Sequence, residues 1–297
     1  MKSFMKSVLR RPYYAARREV DRFLDRESLY QQMQRQMVTQ YALAALSGVK
    51  PYEDIADAGF RCYSQFEEDG IALYVLSMIG FKTRKVVEIC CGNGSECMAT
   101  NLILNHGFQG YLFDGDKTNI ALAEKFFASK RDCYIHPPEL SQAWITSENV
   151  NDLLINAGAT GEVDFFSLDI DGNDYWVWQA IDVIQPRLCV FETHAAIPSN
   201  LSLTIRYDPQ FNSWLEKGND QEYRGVSLAA MVKLCREKGY RLIGAHQNGF
   251  NAFFLRDDIA PDIFPEISAE TVHDNKWAKR GQERLWPLLK DMDWVEV

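Results

Sequence analysis

The chain has 297 residues, 46% of them hydrophobic and 25% charged. That is enough to bury a large core, which excludes a small scaffold held together by disulfides. A formal net charge of −9 argues against general nucleic-acid binding. The charge is uneven: residues 1–26 hold eight Lys/Arg against three acids, a local +5, so the remainder carries −14. Such a basic arm suits peripheral contact with anionic lipid at the inner face of a membrane, or a solvated helical face. Charges interrupt residues 1–26 throughout, which does not fit a secretory leader. Seven cysteines without CxxC spacing, several of them in apolar runs, read as reduced thiols and point to the cytoplasm.

In chain order, residues 12–47 read as helix, with Leu29, Met33, Met37 and Tyr41 on one face. Ser28 and Gln31 have capping-box spacing there. This helical appendage, residues 1–50, is expected to pack on the main body or to pair with a second copy. A helix fits Glu67–Ile79. Lys85–Cys91 is a buried strand, followed by Gly92-Asn-Gly94 and a helix to about Asn105. Tyr111–Asp114 is a second strand, Asn119–Ser129 a helix, and Cys133–His136 a third strand. Ser147–Asn156 is a helix with a Ser cap, Val163–Asp169 a fourth strand, Tyr175–Val183 a helix and Arg187–Glu192 a fifth strand. Alternation with short links predicts an α/β, Rossmann-like, mostly parallel sheet covered on both faces. Residues 195–225 have no period. Ser227–Lys238 is helical, and Tyr240–Ala245 and Asn251–Arg256 are strands. Their five-residue link admits only an antiparallel C-terminal hairpin. Residues 51–261 form the main domain, and 262–297 a tail whose Trp277, Trp286 and Trp294 pack on it.

The first strand ends in Glu88-Ile-Cys-Cys-Gly-Asn-Gly94, a strand–turn–helix junction in which glycines allow a sharp bend and close ligand approach. The third glycine of a dinucleotide loop is missing, since Cys97 stands there. The acidic-x-Gly-x-Gly-x-Gly pattern of methyl-transfer enzymes fits, with Cys90 in the place of its first glycine. In that pattern the acid, here Glu88, helps hold the cationic amino-acid end of S-adenosylmethionine beside Gly92, Asn93 and Gly94. Asp114 ends the second strand, twenty positions after Gly94. A carboxylate there can accept both ribose hydroxyls of an adenosine. Asp116 is the neighbour that can share or take this role, and either acid can equally be a turn residue of Asp-Gly-Asp.

Tyr63-Ser-Gln-Phe-Glu-Glu-Asp-Gly70, the Glu88 loop, Asn101–Gly107, Gly110–Asp116 and Ser167–Asp174 together resemble FkbM-type methyltransferases. The likeness continues through Gly225–Met231, Lys238–Gly244 and Asn251–Phe254, and spans about residues 62–258. It implies a class I methyltransferase fold and S-adenosylmethionine as methyl donor. It also implies an oxygen acceptor, a saccharide, glycolipid or related hydroxyl compound. Two departures stand out: Cys90 replaces a glycine, and Phe191-Glu-Thr-His194 replaces a strand ending in Glu-Tyr-Asn.

Asp169, Asp171 and Asp174 follow the fourth strand, and Glu192 and His194 end the fifth. Ligands of open α/β sheets lie beyond the carboxyl ends of the strands, so these groups are expected to converge. Methyl transfer to a hydroxyl needs a base. His194, the only imidazole of the cluster, is the first candidate and Asp169 the second, with Glu192 beside them. Asp169, Asp171 and Glu192, with His194, would also suit Mg²⁺ or Mn²⁺. The alternative for Asp171–Asp174 is a hydrogen-bonded turn that starts the helix at Tyr175. Trp176 and Trp178 read as a water-excluding wall or as core. Tyr207, Trp214 and Tyr223 could stack on an acceptor while Arg206 and Arg224 hold an acid group. Two further readings remain: a metal-dependent glycosyltransferase using Asp169-Ile-Asp171, and a non-catalytic binding protein that keeps the fold.

Overall fold

The computed structural model describes residues 29–215 and 222–297. The basic arm and the Ser28 cap lie outside them. Helix α1 (Leu29–Leu46) turns Met37 and Tyr41 of the expected face inward but leaves Met33 out. Gln34 and Tyr41 are buried, with Met37, Ala44 and Ala45 packed partly under them, while Met33 is 53% exposed. The reason is tertiary: His106 Nε2 meets Gln34 Oε1 at 2.7 Å and draws that face down. Tyr30, Leu43 and Leu46 stay exposed on the same helix.

A 3-10 turn at Ile55–Ala58 leads into α2 (Glu68–Ile79), buried from Glu68 to Met78. Asp69 Oδ2 accepts the backbone N–H groups of Cys62, Tyr63 and Ser64, pinning the preceding loop to the helix start. Gly70 lies so close to that loop that a Cβ would sit 2.2 Å from Phe60 N. The Glu-Glu-Asp-Gly run is therefore a folding device.

Next come β1 (Lys85–Ile89), α3 (Met98–His106), β2 (Gln109–Asp114) and α4 (Lys117–Ala128). The third strand departs from expectation. Cys133–His136 is no strand: a 3-10 turn covers Arg131–Cys133, and Tyr134 and Ile135 are 88% and 78% exposed. Strand-like propensity there is overridden by Pro137-Pro138, and β3 forms at the polar Glu139–Gln142 on the sheet edge. Then follow α5 (Val150–Ala157), β4 (Gly161–Leu168), α6 (Asp174–Ala180), β5 (Ile184–Glu192), β6 (Leu203–Ile205), α7 (Leu228–Glu237), β7 (Tyr240–Ala245) and β8 (Asn251–Arg256). In α5 the expected Ser147 cap gives way to Asn149, whose Oδ1 accepts from Thr146 N. The tail forms α8 (Ala269–His273), α9 (Lys276–Arg284), α10 (Trp286–Leu289) and β9 (Trp294–Glu296).

Seven strands make one sheet in the order β3-β2-β1-β4-β5-β8-β7. Strands β1 to β5 are mutually parallel, and β8 runs antiparallel to both β5 and β7. This is a doubly wound, Rossmann-like α/β fold ending in an antiparallel hairpin. Side chains alternate between two cores, as the pleat requires. Val86, Leu112, Phe165 and Leu188 pack with α1 to α4, while Val87, Phe113, Phe166 and Cys189 pack with α5 to α7. Trp178 belongs to the second core, against Phe166, Phe191 and Tyr240. It is thus interior packing, not a wall near the chemistry.

At the sheet's opposite end, fully buried Asp164 accepts from Lys82, Thr83 and Arg84 N–H and pairs with Arg187 at 2.9 Å. The tail closes the molecule: β9 pairs antiparallel with β6. Among the described residues no helix is long and apolar enough to cross a membrane.

Candidate active site

The order reversal between β1 and β4 opens a crevice at the carboxyl ends of the strands, where two clefts lie side by side. The first, about 640 Å³, is walled by Ile89 and Cys90 after β1, Asp114 to Lys117 after β2, Trp144 after β3, and Asp171 and Asn173 after β4. The second, about 560 Å³, lies beyond β5 and is lined by Phe66, Glu192, His194, Arg224, Phe250 and four residues of α9, among others.

The glycine loop supports the first cleft more than it lines it. Gly94 (φ +76) presses on Phe127, which a Cβ would meet at 2.8 Å. Asn93 Oδ1 accepts from Ser95, closing an exposed turn. Gly92 N donates to Asp114 Oδ2 at 2.8 Å. The wall residue is Cys90, an exposed thiol at φ +72, a conformation natural to glycine. It keeps the backbone shape of the glycine it replaces.

Glu88 is buried beneath the loop and off the cleft wall. Its carboxylate accepts from Cys97 Sγ, Met98 N and Ala99 N, anchoring the start of α3, and burial pushes it up to about 7. It acts as a strut under the loop. Asp116 caps α4 through Thr118 N. It reaches the cleft rim, but its carboxylate is engaged by the helix start. Asp114 ends β2 on the wall. Gly92 N, Asp116 N and Asn119 Nδ2 take three of its acceptor positions, and a carboxylate offers about four. The group is rigidly aimed and keeps residual capacity.

Two polar atoms that sequence reasoning missed face the same cleft. Asn173 Oδ1 and Ser213 Oγ are buried without a hydrogen-bond partner, although both side chains line the cavity. Buried polar atoms are rarely left unmatched, so these two are spare hydrogen-bonding capacity at the cleft wall. Trp144 packs against Gly115, its indole N–H donated to Pro209 O.

Between the clefts sit Asp169, Asp171 and Glu192, each offering an oxygen within 4.8 Å of the others. Glu192 faces the second cleft and Asp171 the first. Asp169 and Glu192 are buried with oxygens within 4.8 Å of each other, which disfavours ionising both. Burial and the charge of Asp171 raise Asp169 to about 6; burial and both aspartates push Glu192 well above the usual carboxylate range. Asp171 (φ +53) is paired with the Arg224 guanidinium. The trio has the spacing of metal ligands, yet a proton on the pair and a guanidinium already balance its charge. An Asp-x-Asp nucleotide–metal site would need Asp171 free of Arg224.

The other expected members disperse. Asp174 folds the turn, accepting from Ile170 N and Gly172 N. His194 lines the second cleft, but its Nε2 meets Glu222 O at 2.9 Å. That bond puts the proton on Nε2 and leaves Nδ1 as the free acceptor, while burial lowers the ring's basicity. Trp176 donates to Ile205 O. Tyr207 binds Glu148, and Tyr223 packs on Trp294 with ring centroids 4.7 Å apart. Arg206 pairs with Asp293. Most of the aromatic and basic residues of 195–225 thus hold that segment together. The cations of the second cleft without an ion pair among the described residues are Arg280 and Arg284 on α9, whose i, i+4 spacing is their only trace in the sequence.

No family model matches the chain, and no curated protein does. Solved structures similar to it include an S-adenosylmethionine-dependent methyltransferase from Clostridium acetobutylicum (13% identity, 61% of this chain and 87% of that one, TM-score 0.39). Others are magnesium protoporphyrin IX methyltransferase from Synechocystis with bound S-adenosylmethionine (11%, 64% and 77%, 0.40) and an O-methyltransferase from Bacillus cereus with S-adenosylhomocysteine (13%, 80% and 96%, 0.41). At such identities and scores these likenesses establish nothing about this chain's reaction.

Proposed function

We propose that the chain is an S-adenosylmethionine-dependent methyltransferase whose acceptor is a hydroxyl group, in keeping with the FkbM resemblance. The observation that carries this reading is the pair of clefts separated by three carboxylates. The first cleft suits the donor. Asp114 stands where ribose hydroxyls would be accepted, Trp144 offers a flat face for a base, and Asp171 and Asn173 Oδ1 suit the donor's positive end. S-adenosylmethionine supplies a methyl group activated by a sulfonium leaving group.

The chain's own task is to bring the acceptor oxygen in line and to take its proton. Glu192 faces the second cleft holding the pair's proton, so it takes the hydroxyl proton as its own passes to the ionised Asp169. As the oxygen–carbon bond forms and the carbon–sulfur bond breaks, the hydroxyl proton passes to the Glu192–Asp169 pair, which goes from holding one proton to holding two. Arg224 keeps Asp171 ionised beside it. On this reading the trio works through protons, without a divalent ion, and His194 shapes the wall.

Calorimetry with S-adenosylhomocysteine tests the donor cleft. The wild-type chain should bind at micromolar concentrations, and Asp114→Asn should weaken binding about tenfold by halving the acceptor set, in line with ~1–2 kcal/mol for a lost charged hydrogen bond. Absence of heat with the wild type ends the reading.

A further inference from the structure

We propose that the second cleft takes an acceptor that carries an oxyanion, a phosphate monoester or a carboxylate, which Arg280 and Arg284 clamp while its hydroxyl end points at Glu192. This rests on the donor–acceptor reading above and adds the chemical class of the acceptor.

Three observations converge on it. The first is placement. Helix α9 is docked tightly over the cleft: Ala278 is fully buried, and a Cβ on Gly281 would come within 3.1 Å of Ala196. That close approach, next to His194 and Glu192, sets Arg280 and Arg284 on the cleft's wall. Four residues apart on one helix, the two guanidinium groups share a face and can converge on one ligand group.

The second is charge. Neighbouring cations are matched: Lys279 by Asp274, Arg206 by Asp293, and Arg224 by Asp171 with Glu192 and Glu222 close by. Arg280 and Arg284 form no ion pair among the described residues. Lys276 and Lys290 also form no ion pair among the described residues, but Arg280 and Arg284 are the two such cations that line this cleft.

The third is polarity along the cleft. Glu192 and Glu222 line the cleft and repel an anion, Arg280 and Arg284 line it from α9, and Phe66, Phe250 and Trp277 supply apolar faces. Such a dipolar cleft admits an anionic ligand in one orientation only, with the uncharged hydroxyl toward the carboxylates. The aromatic faces fit the C–H face of a saccharide ring.

The test is calorimetry on the full chain with glucose 6-phosphate, glucuronate and uncharged glucose, for the wild type and the double variant Arg280→Gln/Arg284→Gln. At least one charged probe should bind ten or more times tighter than glucose, and its identity tells phosphate from carboxylate. The double variant should lose that preference while its unfolding midpoint and its affinity for S-adenosylhomocysteine stay as in the wild type. Charged probes binding no better than glucose, or binding equally well to the double variant, overturn the inference. If S-adenosylhomocysteine fails to bind while the arginines still select the anion, the methyl-transfer reading falls and the anion site stands.

Discussion

At the scale of single residues, strain and proton sharing mark the site. Cys90 and Asp171 both hold left-handed backbone conformations on the first cleft's wall. For a side-chain-bearing residue this costs about 1–3 kcal/mol and is held in place by its surroundings, here the Asp114–Gly92 bond and the Arg224–Asp171 pair. Glu192 is the residue whose loss should be felt most in turnover. Glu192→Gln keeps the shape but cannot accept the proton, so kcat should fall by ~10²–10⁴ while donor affinity is retained. With His194 held to Glu222 O, His194→Gln should cost less than tenfold. Steady-state kinetics with labelled donor, on any acceptor the wild type methylates, gives both numbers. A larger loss for His194→Gln would return the base to the imidazole. The same turnover should be unchanged by EDTA, and a loss restored by Mg²⁺ or Mn²⁺ would make the trio a metal site after all.

At the scale of elements, the site is suspended between devices remote from it. The buried Asp164–Arg187 pair ties the turn before β1 to β4 and β5 at the sheet's far end. Removing one partner leaves the other charge uncompensated inside the fold. Asp164→Ala should therefore lower unfolding free energy by about 3–5 kcal/mol in urea titration. A loss below 1 kcal/mol would mean that water replaces the carboxylate there. The loop before α2 is a second device. Asp69 and Gly70 fold it so that Phe66 reaches the acceptor cleft, which explains why a run resembling a family signature contains no group on the first cleft. Helix α9 is the third, carried onto the cleft by Gly281 and followed by the β6–β9 pairing.

Across the whole molecule, buried titratable groups of opposite behaviour set the pH of greatest stability. Burial raises Asp69 to about 6 and Glu88 and Asp174 to about 7. Their folded values lie above their unfolded ones, so the stability they contribute is complete below about pH 4 and is lost as pH rises through 6–7. Burial lowers His106 and His273 to about 4. Their contribution is complete above about pH 6.5 and is lost as pH falls toward 4. Between 4 and 6.5 the two sets oppose each other, and from 6.5 to 7 only the acids still titrate. The unfolding midpoint should therefore fall between pH 7 and pH 8, where the histidines have ceased to titrate, and Glu88→Gln should flatten that fall. A midpoint that rises over this interval, measured by scanning calorimetry, would contradict the assignment of buried acids as the dominant groups.

What the chain's order of residues determined unaided is the part written in local periodicity. Apolar runs bounded by turn residues marked four of the five parallel strands, the hairpin, and Asp114 at a strand end, because burial on both faces of a parallel sheet leaves a continuous apolar trace. Edge strand β3 left no such trace, being polar and partly exposed. The strand order read from the sequence already brought Asp169, Asp171 and Glu192 together, and tertiary structure decided which of the other acids stayed apart. Glu88, Asp116 and Asp174 were taken by backbone N–H groups of nearby helix starts and turns, whereas Asp169, Asp171 and Glu192 converged because β4 and β5 are neighbours in register. It also decided that arginines from the chain's last quarter face a cleft built by its middle. Contacts between residues ninety positions apart depend on packing of whole elements, and no local spacing records them.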